Sequence, residues 1–426
     1  MNNSISFVIP AFQAEGTIAD AMRSVLVQQD ARIELIVVDD GSTDATFARA
    51  AGLADGRTTL VRRTNRGVAA SRNLGLLMAR HEFVCFLDAD DVLDARFAAR
   101  TMTAIGECDA ITTAYRDTNE ELVPANDAWY PSREELRLER LRSANPLAIG
   151  ATVFRTQSLH LVTRHFGEAF PSQDLVEDWE LLLRFTNTGA RWADPIEEPL
   201  MHCRLGPTSR SSQSRAVWLD GLALFERWVP CAQRSGIRRR WTLAQLARAL
   251  ANEQRELASE MMQSLGTLSE EDAPSLIGSL RMWAVRQRTR TGAPVSPTLI
   301  QRVAGSFPKK LNEKICSEVL APSWAELALS WARARGPADR LVIYGYGANG
   351  RQACRALIAA GFTCRIVDDQ PGFDHPRALS SADLRPTDAV LVTPDRRESI
   401  LTRLGALGIN QVCTVDSLAG GMSAAA

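Results

Sequence analysis

Between Glu82 and Leu93 the chain reads EFVCFLDADDVL, and its character changes in the middle. Phe83, Val84, Cys85, Phe86 and Leu87 form a short apolar run with the length and aromatic, β-branched content of a buried strand. Asp88, Ala89, Asp90 and Asp91 follow at once. Three carboxylates so close together cannot stay ionised inside a core without partners. At the carboxyl end of a parallel strand they face instead the crevice where open α/β sheets bind ligands. Two carboxylates one residue apart can hold a hard divalent cation, Mn²⁺ or Mg²⁺, between themselves and a diphosphate. A D-x-D pair is also an ordinary acidic turn, since Asp is a common turn and N-cap residue. The neighbouring elements have to decide between the two.

Those elements alternate. Ile5 to Ile9 reads as a strand stopped by Pro10, and Thr17 to Gln29 as a helix with Ile18, Ala21, Met22, Val25 and Leu26 on one stripe. Ile33 to Val38 is a second strand ending in Asp39 and Asp40, after which Ser42 or Thr43 would cap a short helix through Ala50. Thr58 to Arg62 is a third strand and Gly67 to Arg80 a helix that leads into the acidic stretch. Strands and helices in strict alternation predict an α/β fold with a mostly parallel sheet covered on both faces. All strand ends of such a sheet share one edge, so Pro10, Asp39, Asp40 and Asp88 to Asp91 should converge there.

With these blocks in order, a resemblance becomes legible. VIPAFQAEGTIADAMRSVLVQQ, IELIVVDDGSTDAT, NRGVAASRNLGLLMAR and FVCFLDADDVL resemble the successive blocks of a family-2 inverting glycosyltransferase of GT-A fold. VEDWELLLRF, from Val176 to Phe185, is similar to that family's acidic block, and EPLMHCRLGPTSRS to its closing strand. The resemblance implies transfer of a sugar from a nucleoside-diphosphate sugar, most simply a UDP-sugar, to a hydroxyl of a glycan, lipid-linked or protein acceptor. It assigns Pro10, Phe12, Glu15, Asp39, Asp40, Arg72 and Asp88 to the donor nucleotide, Asp90 with Asp88 to Mn²⁺ or Mg²⁺, and Asp178 to the catalytic base, oriented by Glu177. Two positions depart from the pattern. Gln13 stands where the family usually has Asn, and Arg204, Leu205 and Gly206 stand where a His often occurs, which leaves His202 as the nearby histidine. Trp129 and Tyr130, in the stretch that faces the acceptor in such enzymes, either stack on a sugar or pack over a loop.

Composition sets limits on the rest. With 426 residues and a net charge of −1, the chain has no global basic field for nucleic acid. Its eight cysteines contain no C-x-x-C pair and read as reduced thiols. MNNSISFVIPAF lacks a basic segment followed by a long apolar one, and nowhere do about 18 uncharged apolar residues run together. No transmembrane segment is expected, which places the protein in the cytoplasm or peripherally at the inner face of a membrane.

Three domains are expected: 1–215 catalytic, 216–336 helical and 337–426 Rossmann-like. The helical part has candidates at Ala216 to Ser235, Thr242 to Gln263, Ala273 to Arg290 and Trp324 to Arg335. Its apolar stripes must bury against the sheet domain or against a second copy, so a homo-oligomer through this region stays open. Arg238, Arg239 and Arg240, with Arg234, read as a solvated helix end or a site for anionic lipid. In the last part, Leu341 to Tyr344 precedes G-Y-G-A-N-G, with Gly345, Gly347 and Gly350, then a helix and a strand ending in Asp368. That order resembles a nucleotide-binding half, in which the glycines admit a pyrophosphate and the acid takes a ribose hydroxyl. An NAD-dependent oxidoreductase or sensor acting through this turn is the alternative function, but it leaves the N-terminal half unexplained. A nucleotidyltransferase would carry a basic glycine-rich loop after the first strand, where this chain has PAFQAEG.

Overall fold

The computed structural model describes residues 4–124, 128–171, 175–206, 214–293, 295–319, 324–333, 340–344, 348–368, 383–385, 387–392, 397–407, 409 and 412–413. The chain forms two compact units, Met1–Val319 and Leu320–Ala426.

The first unit opens with β1 (Ser4–Ala11), α1 (Ile18–Leu26), β2 (Arg32–Asp39), α2 (Thr46–Leu53), β3 (Thr58–Arg62), α3 (Val68–Met78) and β4 (Phe83–Phe86). It continues with β5 (Val92–Leu93), α4 (Phe97–Ala104), β6 (Ala110–Thr118), α5 (Leu138–Leu141), β7 (Thr152–Arg155), α6 (Thr156–Phe166), α7 (Glu177–Asn187) and β8 (Ile196–Arg204). The strands join in one sheet, in the order β3-β2-β1-β4-β7-β6-β8-β5. β1 to β4 pair in parallel and β7 is antiparallel to both β4 and β6. This is the α/β class expected from the alternation. Side chains alternate between its faces, as a doubly covered sheet requires. Phe7, Ile9, Leu35 and Val37 pack with α1 and α4 residues such as Met22 and Phe97, whereas Val8, Ile36, Val38 and Phe86 pack with Leu76, Trp179 and Leu182 on the other side.

Pro10 does not end β1, which runs through it to Ala11. β4 pairs only with Ile5 to Val8, and the Leu87 N–H donates to the Val8 carbonyl at 3.0 Å. The next donor toward β4 would be residue 10, where proline has none. The ladder to β4 therefore stops where the acidic turn begins, while the Ala11 carbonyl on the other side still accepts from Asp40 N–H at 2.8 Å. The expected cap of α2 also differs. Ser42 Oγ accepts from Gln13 N–H, while the first turn of α2 is held by Asp44 Oδ1 on Thr46 N–H and Glu15 Oε2 on Ala45 N–H, both 3.0 Å.

The helical part is cut differently from the apolar pattern: α8 (Ser214–Trp228), α9 (Cys231–Ala251), α10 (Arg255–Leu265), α11 (Ala273–Thr291), α12 (Pro297–Ala304) and α13 (Lys309–Val319). Pro230 breaks the first candidate, because its ring cannot sit in a helix interior. Glu253, at φ 60°, breaks the second. Arg238 to Arg240 lie inside α9 rather than at its end, and Arg234, Arg238 and Arg239 are engaged by Glu226 and Asp272. α8 adds Leu224 and Phe225 to the core under the sheet, and α9 to α13 share a further core around Leu246, Leu276 and Ile315.

In the second unit, α14 (Trp324–Arg333) is followed by β9 (Leu341–Tyr344), α15 (Ala348–Ala359), β10 (Cys364–Val367), β11 (Ala389–Val392), α16 (Arg397–Ala406) and β12 (Val412–Cys413). Its four strands are all parallel, in the order β10-β9-β11-β12. Ala328 and Trp331 of α14 pack in this unit's core with Ile343 and Leu357.

α3 approaches β1 so closely that a Cβ on Gly75 would lie 2.2 Å from Val8 Cγ1. Gly75→Ala should therefore cost about 1–3 kcal/mol in urea unfolding, part of which Val8→Ala recovers in the double variant. On β2, the buried Glu34 accepts from Ser6 Oγ at 2.7 Å and from Arg80 Nε at 2.7 Å. Burial alone would raise its pKa, but these bonds outweigh it and hold the carboxyl below its usual 4.5. Its contribution is present above 4.5 and is lost as pH falls from there through the folded value. Glu34→Gln should flatten that part of the stability profile, read from urea midpoints across acidic pH.

Candidate active site

The site is built around the far end of β4 and the first turns of α3 and α7. α3 starts where it does because the buried Asp40, just after β2, accepts from Gly67 N–H at 2.8 Å and Arg66 N–H at 3.1 Å. Gly67 sits at φ 88°, a conformation that glycine takes at little cost. One turn further on is Arg72, which is 1% exposed. Its Nη2 meets Asp88 Oδ1 at 2.5 Å and its Nη1 meets Glu177 Oε1 at 2.6 Å. Its guanidinium also lies over the Phe170 ring, 5.4 Å from the centroid. Burial would lower the pKa of Arg72, but the carboxylates of Asp88, Glu177 and Asp178 outweigh it and raise it. A single buried cation thus joins the acidic turn to the first residue of α7.

Asp88, Asp90 and Asp91 bring carboxylate oxygens within 4.8 Å of one another. Asp91 is buried, and its pKa is driven up by that burial and then by the charges of Asp90 and Asp88. Crowded, hard oxygen donors that repel one another in this way fit a divalent cation, which would relieve the repulsion. The cluster holds aspartates and no histidine; His202 lies on β8 opposite Val92. Asp178, whose charge acts on Arg72, is half-buried in the first turn of α7, where its Oδ2 accepts from Asn145 Nδ2 at 3.3 Å.

The other predicted residues lie along the same edge. Pro10 is near the end of β1, Phe12 is 52% exposed on the loop after it, and Glu15 holds the start of α2. Gln13 has φ 50°, and its side-chain oxygen accepts from Thr43 N–H at 3.0 Å and Asp44 N–H at 3.3 Å. A positive φ of this kind favours Asn among the non-glycine residues. Asp39 is fully buried at the end of β2, bonded by Ser42 N–H at 3.0 Å and 3.1 Å from Arg62 Nε. Trp129 is occupied by packing, stacked on Tyr115 at 6.4 Å with the Arg286 guanidinium 5.9 Å from its ring centroid. In the second unit, Gly350 is buried in α15 and Asp368 follows β10, whereas Gly345 and Gly347 lie outside the described residues.

Three features escaped the sequence reading: the bridge made by Arg72, Asn145 on Asp178, and Arg204, whose backbone N–H donates to Asp91 Oδ1 at 2.9 Å. Arg72 carried a signal only as a donor-side residue and Arg204 only as part of a block that departs from the familiar pattern.

Residues 6–160 match the profile of the family described as Glycosyl transferase family 2, and this stretch of the chain is a domain of that class. The chain is 29% identical over 221 residues to the succinoglycan biosynthesis protein ExoO of Rhizobium meliloti (strain 1021), covering 48% of this chain and 62% of that protein. It is 40% identical over 91 residues to UDP-Glc:alpha-D-GlcNAc-diphosphoundecaprenol beta-1,3-glucosyltransferase WfgD of Escherichia coli, covering 21% of this chain and 35% of that one. It thus spans less than two thirds of either relative. Among solved structures, S. aureus TarS 1-349 in complex with UDP-GlcNAc superposes with a TM-score of 0.46 at 18% identity, over 74% of this chain and 89% of that chain.

Removing the Arg72 cation leaves the buried Glu177 carboxylate, and the partly exposed Asp88, without that counter-charge. Arg72→Met should cost about 3–5 kcal/mol in urea unfolding. Adding Glu177→Gln should return a measurable part of that loss, because the amide needs no counter-charge. A double variant no more stable than Arg72→Met would show that the pair does not carry the coupling.

Proposed function

We propose that the protein is an inverting glycosyltransferase that moves a sugar from a nucleoside-diphosphate sugar to a hydroxyl acceptor in surface glycan or glycoconjugate synthesis. The observation that carries this reading is the meeting, at one sheet edge, of the Asp88–Asp90–Asp91 cluster and the Asp178 turn through the shared Arg72. The matches to the family-2 profile and to a relative named for succinoglycan biosynthesis support it. WfgD, by its name a UDP-Glc-dependent enzyme, makes a UDP-sugar the first donor to try.

In this reading Asp88 and Asp90 would hold Mn²⁺ or Mg²⁺, which would supply positive charge against the departing diphosphate. Phe12, exposed beside the ends of β1 and β2, offers a face to the nucleobase, with Asp39 at its edge. Asp178 accepts the proton of the acceptor hydroxyl while that oxygen bonds to the anomeric carbon. The bond from that carbon to the diphosphate oxygen breaks on the opposite face, its electron pair leaves with the diphosphate, and the configuration inverts. No covalent enzyme intermediate forms. Arg72 holds Asp88 and the start of α7 in fixed register, so the donor side and the base keep their spacing.

The division into 1–215 catalytic, 216–336 helical and 337–426 Rossmann-like parts belongs to the same proposal, with the last part an accessory unit. None of the described helices is long and apolar enough to cross a membrane. A cytoplasmic enzyme, peripheral to the inner face of a membrane, fits an acceptor that is lipid-linked.

The test is a transfer and donor-hydrolysis screen over nucleotide sugars, with Mn²⁺ and with chelator. One donor should be cleaved only with the cation. Asp178→Asn should keep donor binding and lose about 10²–10⁴-fold in transfer, since an amide cannot take the proton. Asp90→Asn should abolish transfer while the protein stays folded. Wild-type turnover by Asp90→Asn with Mn²⁺ would exclude the cation assignment, and equal losses of donor affinity and rate in Asp178→Asn would exclude the base.

A further inference from the structure

Arg204 is the last residue of β8, and its side chain joins three other elements. Nε donates to the main-chain carbonyl of Asp90 at 2.9 Å. Nη2 donates to the Asp20 carboxylate of α1 at 2.9 Å, and Nη1 to the Glu120 carbonyl, just after β6, at 2.5 Å. With its own N–H on Asp91 Oδ1, the residue grips the acidic turn at two consecutive positions. Its side chain is 9% exposed.

The need for such a grip follows from charge. Three carboxylates within 4.8 Å push one another apart whenever no cation lies between them. Backbone and carboxylate geometry must nevertheless persist for a cation to find its oxygens in place. A guanidinium is suited to this, because it is always charged and its rigid fork addresses several acceptors at once. Lysine, a point charge on a flexible stem, cannot reproduce three such directions.

We propose that Arg204 is a positioning residue that fixes the Asp88–Asp91 turn in its cation-holding geometry and, through Asp20, registers that turn against the donor-side loop before α1. The cation part rests on the function proposed above; the fixing of the turn does not.

The test uses the full chain with Arg204→Lys, Arg204→Ala and Asp20→Asn, read in two ways. Amide hydrogen exchange of peptides covering residues 88–93 is measured without added metal, with β1 peptides as the reference. Mn²⁺ binding is measured by calorimetry in the absence of any sugar donor. Both Arg204 variants should exchange faster at 88–93 with β1 unchanged, and should bind Mn²⁺ about 10–100-fold more weakly. Asp20→Asn should shift both readouts in the same direction by less. Unchanged exchange at 88–93 in Arg204→Lys, or faster exchange in β1 to the same extent, overturns the proposal. If wild type takes up no Mn²⁺, the cation reading fails by itself and the exchange at 88–93 still decides the role of Arg204. Should Arg204→Ala not fold, the Lys and Asn variants carry the same decision.

Discussion

A guanidinium buried between two carboxylates is the constraint from which the N-terminal unit takes its arrangement. Arg72 stays charged at 1% exposure because Asp88 and Glu177 meet it at 2.5 and 2.6 Å and the charge of Asp178 adds to theirs. That requirement sets the places of three elements. α3 must begin at Gly67, where Asp40 receives its first N–H groups, and must lie against β1 at Gly75, where a larger side chain does not fit. β4 must end where Asp88 can turn toward α3, and α7 must start with its first carboxylate inward. Because the pair costs desolvation, it is better understood as a specifier of geometry than as a source of stability.

The second constraint is repulsion. The acidic turn concentrates negative charge at a sheet edge, and the fold answers it from both sides, with the Arg72 guanidinium on the Asp88 carboxylate, the Arg204 guanidinium on the Asp90 main-chain carbonyl and the Arg204 N–H on the Asp91 carboxylate. Arg72 reaches it from the helix just before β4 and Arg204 from a strand more than a hundred residues on, so the turn is complete only once β8 has joined the sheet. Pro10 contributes in a different way, by removing a donor and letting β1 and β4 part at this point. Local backbone chemistry and long-range charge thus act on the same few residues.

The helical part of the first unit is not a mere tether. Leu224 and Phe225 complete the core beneath the sheet beside Trp179, the residue after Asp178. Positioning of the α7 turn therefore draws on residues well beyond the block that carries the acids. Three of the four arginines that suggested a surface for anionic lipid, Arg234, Arg238 and Arg239, are paired with Glu226 and Asp272 within the unit.

Short continuous apolar runs, acidic strand ends and their order were enough to read the α/β class, the strands of the parallel half and the edge where Asp39, Asp40 and Asp88 to Asp91 gather. These are local signals, since burial on both faces dictates apolar strands and the parallel topology dictates a shared edge. What Arg72, Asp40 and Glu15 do could not be read that way. The bonds that Asp40 and Glu15 make within the chain, to the first N–H groups near α3 and α2, left no trace in the sequence, because a carboxylate's partner is whichever donor the packed chain brings to it. Helix breaks at Pro230 and Glu253 were blurred because an apolar stripe continues across a short break. Arg204 was visible in the sequence only as an irregularity, and tertiary structure alone made it a clamp. Residue types and spacing determine which charges a strand end presents; which of those charges are neutralised, capped or left to hold a ligand is decided by contacts between positions about a hundred residues apart, such as Arg72 with Glu177 and Asp91 with Arg204.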